Sequence, residues 1–325
     1  MGKSLNNGKS NSSITAYEGW MTATKDKAKK KAIEIGGVEL TVNGRIRRVI
    51  MAKEEWDIDI ESPQAFINEL KSRKVKGDLF TFVQRLPHFT PEHQYWMEMD
   101  NVAAIPISHY NYWWTKQVTQ QVRNKVRKSA KKGVKVKIDN FDDEFVRRIK
   151  DVYDDCPIRQ GEKFSDYKKP FEIVKEENAT FLDRAEFLCA YHGDELIGFI
   201  KLVYTEGFAR TMGALGKISQ RDKAPMNALV AKAVEICAEK KVPFLTYGKF
   251  IYGKKGADSL TIFKRDMGFQ KYDLPRYFVP LTNRGKIFLA LGIHRRCNEI
   301  LPSWMVKMGL DIRRKLVNLK YGSGR

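Results

Sequence analysis

Glu186-Phe-Leu-Cys-Ala-Tyr-His192, the turn pair Gly193-Asp194, and Leu196-Ile-Gly-Phe-Ile-Lys-Leu-Val203 open the stretch that decides the fold, residues 186–280. Both runs are β-branched and aromatic and bounded by turn residues, so they read as strands. A third strand is expected over residues 208–218, followed by the polar loop Ser219-Gln-Arg-Asp-Lys-Ala224. From Pro225 to about Lys240 the apolar residues Met226, Leu229, Val230, Ala233, Val234 and Cys237 recur with helical spacing and form one stripe. Pro225 suits the first helical turn, where its missing N–H costs nothing. Pro243-Phe-Leu-Thr-Tyr-Gly248 reads as a strand, and residues 259–267 as a short helix with Asp258 as its cap and Gly268 just past its end. The last strand is expected over residues 272–279. Strand, strand, strand, helix, strand, helix, strand implies one mixed sheet with helices on both faces. The strands around 208–218 and 243–248 are then adjacent and parallel.

This order resembles the acyl-CoA N-acyltransferase fold, the GNAT superfamily. Ser259-Leu-Thr-Ile-Phe-Lys-Arg-Asp-Met-Gly-Phe269 is similar to that superfamily's last helix, which ends in a Gly-Phe pair before the final strand. Upstream, Arg123-Asn-Lys-Val-Arg-Lys-Ser-Ala-Lys-Lys-Gly-Val-Lys-Val136 resembles the entry to the second GNAT-like domain of the Fem-type peptidoglycan-bridge aminoacyltransferases. The resemblance spans residues 110–282 and implies an α/β (α+β) fold with two GNAT-like halves. It also implies an acyltransferase.

Around this region the chain divides by composition. Residues 1–30 are rich in Ser, Asn, Gly and Lys and are expected to be a disordered basic tail. Residues 31–110 read as an N-terminal α/β half. A hairpin turns at Asn43-Gly44, a helix starts at Ser62-Pro63 and buries Phe66, Ile67 and Leu70, and strands are expected at 79–84 and 102–107. Residues 111–282 form the GNAT-like domain. It is entered by a helix on which Trp114, Val118, Val122, Val126 and Ala130 recur every four residues and which Gly133 ends. Residues 134–138 alternate like a strand with one buried face, 142–154 continue as a helix, and 156–161 form a loop. Residues 283–325 form a helical tail whose apolar runs and basic clusters suit either packing across the halves or an anionic membrane surface.

With 59 Lys and Arg against 39 Asp and Glu in 325 residues, the formal net charge is +20. Such a surplus calls for an anionic partner: a CoA-type nucleotide, RNA, DNA or an acidic membrane. The five histidines and four cysteines make no ligand constellation, so no metal is expected. No apolar run follows the basic start, so no secretory signal is expected and the compartment expected is the cytoplasm.

The resemblance implies where the donor sits: at the N-terminus of the helix after the long central strand, where N–H groups and the helix dipole favour anions. Here that place holds Ser219, Gln220, Arg221, Lys223, Ala224 and Asn227. Lys223 and Pro225 stand where the superfamily's loop has its two glycines, and Pro225 offers no N–H. The departure moves the chain toward the Fem-like branch. Two donors stay open, acyl-CoA (acetyl-CoA) as co-substrate or an aminoacyl-tRNA, with an amine as acceptor. Phe263 occupies the place of the tyrosine that protonates the departing thiolate in many GNATs, while Lys264 matches the Phe-Lys pair of Fem-type enzymes. Lys264 and Tyr247 are therefore the candidate catalytic residues. Arg159 and Gln160, in an irregular loop, and Arg276, after Pro275, are candidates for substrate binding. No carboxylate can be placed as general base. The alternative is a basic nucleic-acid-binding protein on a degenerate GNAT scaffold.

Overall fold

In a computed structural model, residues 33–58, 60–159, 162–251, 259–295 and 308 are described. The 1–30 tail, Gln160, Asp258 and most of the C-terminal tail lie outside them. The elements are β1 (Ile33–Ile35), β2 (Val38–Asn43), β3 (Val49–Ala52), α1 (Pro63–Ser72), β4 (Leu79–Val83) and β5 (Trp96–Pro106). Next come α2 (Tyr110–Tyr112), a π-helical stretch (Trp113–Gln117), α3 (Gln120–Lys131), β6 (Val134–Asp139), α4 (Asp143–Asp154), and the small hairpin β7 (Ile158–Arg159) and β8 (Glu162–Lys163). α5 (Phe171–Asn178), β9 (Ala185–His192), β10 (Glu195–Thr205), β11 (Phe208–Gly216), α6 (Pro225–Glu239), β12 (Phe244–Thr246), α7 (Ser259–Asp266), β13 (Gln270–Pro280) and α8 (Asn283–Ala290) complete them.

Eleven strands make one sheet in the order β1-β2-β3-β4-β13-β5-β12-β11-β10-β9-β6. β11 and β12 pair in parallel, Ala209 with Leu245 and Arg210 with Thr246, and α6 joins them. The 31–110 segment does not close on itself. β13 lies between β4 and β5, antiparallel to both, so the last strand of one half is clasped by two strands of the other.

The strand period of two sorts the core into faces. Leu188, Ala190 and Ala209 pack with α6 residues such as Leu229 and Val234. Their neighbours Phe187, Cys189 and Tyr191 pack with Phe145, Ile149 and Val152 of α4. Helices thus cover both faces. In the other half Phe80, Phe82, Tyr277 and Val279 pack with Phe66, Ile67 and Leu70 of α1, while Leu79 and Phe278 meet Leu289 of α8.

Four local expectations are corrected. The single helix expected to carry Trp114 through Ala130 is two pieces. The Thr119 side chain accepts from Val122 N and starts α3, while Trp113, only 1% exposed, anchors the preceding turn by donating to Met267 O at 2.9 Å. Tertiary anchoring overrides the four-residue stripe: Val126 is half-buried and Ala130 exposed, while Ser129 is buried instead. Ser62 precedes α1 without a side-chain capping bond, so Pro63 alone marks that start. The face of β6 is buried only at Val134, since the strand is a sheet edge, and Ile138 is 49% exposed. The 156–161 loop carries the short pairing of Ile158 with Lys163. At the start of α8, Thr282 caps by accepting from Gly285 N, and Leu289 packs inward while Ile287 stays exposed.

Candidate functional site

The chain leaves β11 where β12 ends. Tyr247 N donates to Ala103 O at 2.9 Å and Gly248 O accepts from Ala103 N at 2.8 Å, so residues 247–248 follow β5 while β11 runs on to Gly216. Across β11 the register shifts between Ile200 and Lys201, skipping Gly213, whose φ of +68° suits glycine. A parted pair of parallel strands in the middle of the sheet is the result.

Tyr247 and Lys264 meet at this parting. Lys264 is fully buried on α7; its Nζ donates to Lys249 O at 2.8 Å and lies 4.5 Å from the Tyr247 ring centroid. The ring quadrupole favours the cation, by about 2 kcal/mol where water is excluded. Two contacts fix α7 at its far end: the bond from Trp113 and one from Thr119 N to Asp266 O at 3.2 Å. Gly268, at φ +90°, ends α7 under Trp113 Nε1, where a Cβ would sit at 3.3 Å.

Through the Lys249 side chain the contact continues to the opposite face. Lys249 Nζ pairs with Asp100 Oδ1 at 2.5 Å, Arg276 Nε with Asp100 Oδ2 at 2.9 Å, and Arg276 holds Glu55 in a two-pronged pair with both bonds at 2.8 Å. Arg210 pairs with Asp57 and lies 3.7 Å from Glu54. Residues 54–57 therefore bring carboxylates from the first half onto cations of β11 and β13. Sequence reasoning assigned Arg276 to substrate binding; its guanidinium is instead saturated by Glu55 and Asp100. Burial alone would raise the Asp100 carboxyl, but Arg276 and Lys249 outweigh it and hold it at about 2. Burial raises the Glu54 carboxyl, with Arg210 opposing.

A pH dependence follows. Asp100 is depressed on folding from the ordinary 3.8 to about 2, so its stabilisation is complete above about pH 4 and is lost as pH falls toward 2. That difference corresponds to roughly 2 kcal/mol. Urea midpoints should fall from pH 5 to pH 2.5, and Asp100→Asn, though less stable at pH 5, should flatten that fall. An equal slope in the variant would contradict the assignment.

The expected donor loop is less open than its sequence suggests. Asp155 accepts from Ile218 N at 2.6 Å, from Ser219 N at 3.3 Å and from the Ser219 hydroxyl. Ala224, at φ +51°, precedes α6 in the left-handed region. Gln220 donates to Glu195 at 3.1 Å and accepts from Lys223 at 2.5 Å. Asn227 is buried, 3.2 Å from Met267 Sδ at the end of α7. Arg221 is exposed and its guanidinium has no hydrogen-bond or ion-pair partner among the described residues. Lys132, just past the end of α3, pairs with Asp222, which places the basic end of that helix beside the loop.

Arg159 is not a surface ligand. It is 2% exposed, donates to Gly216 O at 2.8 Å and Val152 O at 3.1 Å, and lies over Phe164. It supports the end of β11 from beneath. Sequence reasoning missed the 54–57 carboxylates, Asp100 and Lys201. A lysine inside the apolar run 196–203 was a signal: Lys201 is 2% exposed and donates to Asn178 O and Thr180 Oγ1, each at 2.9 Å. Among the described residues no group of His, Cys, Asp and Glu could hold a metal ion, and no helix is long and apolar enough to cross a membrane.

Neither a protein-family model nor a curated protein matches the sequence. Solved structures do match in fold. The C-terminal domain of a protein designated a lysylphosphatidylglycerol synthetase, from Agrobacterium fabrum, superposes with a TM-score of 0.53 at 13% identity, covering 78% of this chain and 83% of that one. L-PGS from Bacillus licheniformis gives 0.51 at 14% identity, with 80% and 86% covered. FemX gives 0.51 at 10% identity, with 80% and 89% covered. The chain therefore has the fold of these proteins.

Proposed function

We propose that this protein transfers an acyl or aminoacyl group from an activated donor to an amine. The observation that carries the reading is the burial of the Lys264 ammonium on the Tyr247 ring where β11 and β12 part. In such a transfer the amine nitrogen attacks the acyl carbon and a C–N bond forms. The bond to the donor's oxygen or sulfur breaks, and the proton lost by the amine ends on the leaving group. Negative charge grows first on the carbonyl oxygen and then on the leaving atom. A cation held in a water-poor site stabilises that charge more in the transition state than in the substrate. The Tyr247 hydroxyl is suited to donate to the same charge.

For the donor, the reading favours an aminoacyl-tRNA over acyl-CoA. Asp155 takes two loop N–H groups and Pro225 has none, which weakens the backbone cradle a pyrophosphate would use. Cationic side chains remain: Arg221 and Lys223, with Lys128 and Lys131 of α3 nearby in the chain from Lys132. The similar structure designated a lysylphosphatidylglycerol synthetase carries an aminoacyl-lipid in its name, which agrees with an aminoacyl donor. Thermal scans with acetyl-CoA, a longer acyl-CoA and a tRNA pool test the choice, since a specific ligand raises Tm by mass action. A rise with tRNA alone is expected; a rise with acetyl-CoA alone overturns the donor assignment. Arg221→Ala with Lys223→Ala should weaken donor binding and lower its salt slope while leaving Tm unchanged. Unaltered affinity in the double variant places the phosphates elsewhere.

A second reading, a nucleic-acid-binding protein without catalysis, is favoured by one feature. α3 carries Arg123, Lys125, Arg127, Lys128 and Lys131 and no carboxylate. Binding of tRNA without any transfer to amines would select it.

A further inference from the structure

A cavity of about 500 Å³ lies beneath residues 84–93, apart from the Lys264 site. We propose that it binds an organic primary amine carried on an apolar body, and that this is the acceptor of the transfer; the second clause rests on the function proposed above. The volume falls within the range of small-molecule sites.

Its walls are built rather than loose. The buried Gln84 amide donates to His88 O at 3.1 Å and Thr90 O at 2.7 Å, and its oxygen accepts from Tyr277 Oη at 2.8 Å. Glu92 N in turn donates to Tyr277 Oη at 3.0 Å. A loop held this way keeps its shape without a ligand, which lowers the ordering cost of binding. On the other side the β10–β11 turn closes against Leu86-Pro87. Gly207 there has φ +85°, and a Cβ would come within 3.2 Å of Pro87 Cδ.

The chemistry of the walls selects the ligand. Phe82, Leu86 and Pro87 supply an apolar side, and Glu92 and Glu206 supply two carboxylates. His88 Nδ1 lies 2.9 Å from Glu92 Oε1, and the His93 ring packs 5.6 Å from Phe82 and 5.1 Å from Tyr277. Arg85 is the one Lys or Arg among the lining residues. In a chain of net charge +20 a wall with more carboxylates than fixed cations is unlike the bulk of the surface. It complements an ammonium and rejects an anion. The cavity also shares Arg85 and Leu86 with a second, about 20 Å³ in volume, that reaches Thr246 and Gly248 on either side of Tyr247. An amine bound here therefore lies beside the residues that flank Tyr247, on the sheet face opposite the Lys264 ammonium.

The test uses the full chain and a matched set of probes: hexylammonium, hexanoate and hexanol at one pH. Imidazole NMR signals report binding, because the chain has only five histidines. Hexylammonium should shift the His88 and His93 signals, and the other two probes should shift them at least tenfold more weakly. Glu92→Lys with Glu206→Lys, both at exposed side chains, should reduce hexylammonium affinity tenfold or more with Tm retained. Equal binding of hexanoate, no shift at saturating hexylammonium, or full affinity in the double variant would overturn the site. The two readings fail separately. Amine binding without any transfer leaves this site standing and removes the transferase. Transfer by the double variant at wild-type KM for the amine removes this site and leaves the transferase.

Discussion

Lys264→Ala should lower turnover roughly ten- to a thousandfold, the range for loss of one electrostatic stabiliser. The effect should fall on kcat more than on KM, because the cation acts on charge that is larger in the transition state than in the bound substrate. Lys264 is fully buried, so part of any loss could come from the fold. Lys264→Met separates the two: it keeps the length and apolar packing of the stem and removes the charge together with its bond to Lys249 O. Both variants are assayed at a temperature where each is folded by circular dichroism. Lys264→Arg should rescue little, since a guanidinium over the Tyr247 ring needs space that a fully buried site lacks. Full activity in Lys264→Met would end the catalytic assignment.

Arg276→Ala should be the most destabilising single change at the join between the halves, by about 3–5 kcal/mol. It strands Glu55, 11% exposed, and Asp100, 6% exposed, as buried carboxylates whose strongest partner is gone. Glu55→Gln with Asp100→Asn and Arg276→Met, which removes all three charges together, should cost much less than the sum of the single changes. Denaturant midpoints with unchanged slope measure both. A cost for Arg276→Ala below about 1 kcal/mol, the level of an exposed pair, would show that the network does not clamp the halves.

How much of this was legible follows from how local each signal is. α6 was readable because Met226 through Cys237 write its apolar stripe in consecutive turns, and Gly268 marks the end of α7 through its own backbone preference. β9 and β10 were readable from composition and the Gly193-Asp194 turn. The break between α2 and α3 was not, because the bond that anchors it joins Trp113 to Met267, 154 residues away. For the same reason the clasp of β13 between β4 and β5 had no local signature. Arg276 and Glu55 are 221 positions apart, so Arg276 read as a free cation when it is a neutralised one. Arg159 was misread differently. An irregular loop was taken as surface, but its short hairpin turns that side chain inward under Gly216. Lys264 and Tyr247 were named from a resemblance, and spacing alone would not have paired residues on a strand end and a helix.

The proposed acyl transfer to an amine where β11 and β12 part is open to direct assay. The most direct measurement offers the protein a tRNA pool charged with labelled amino acids, and separately labelled acetyl-CoA, each with a panel of primary amines. Formation of a base-stable amide is followed by mass. Labelled amide is expected with the wild-type chain, more from the aminoacyl-tRNA than from acetyl-CoA, and at least tenfold less with Lys264→Met. Label that stays on both donors, or amide formed at the same rate by Lys264→Met, would contradict it.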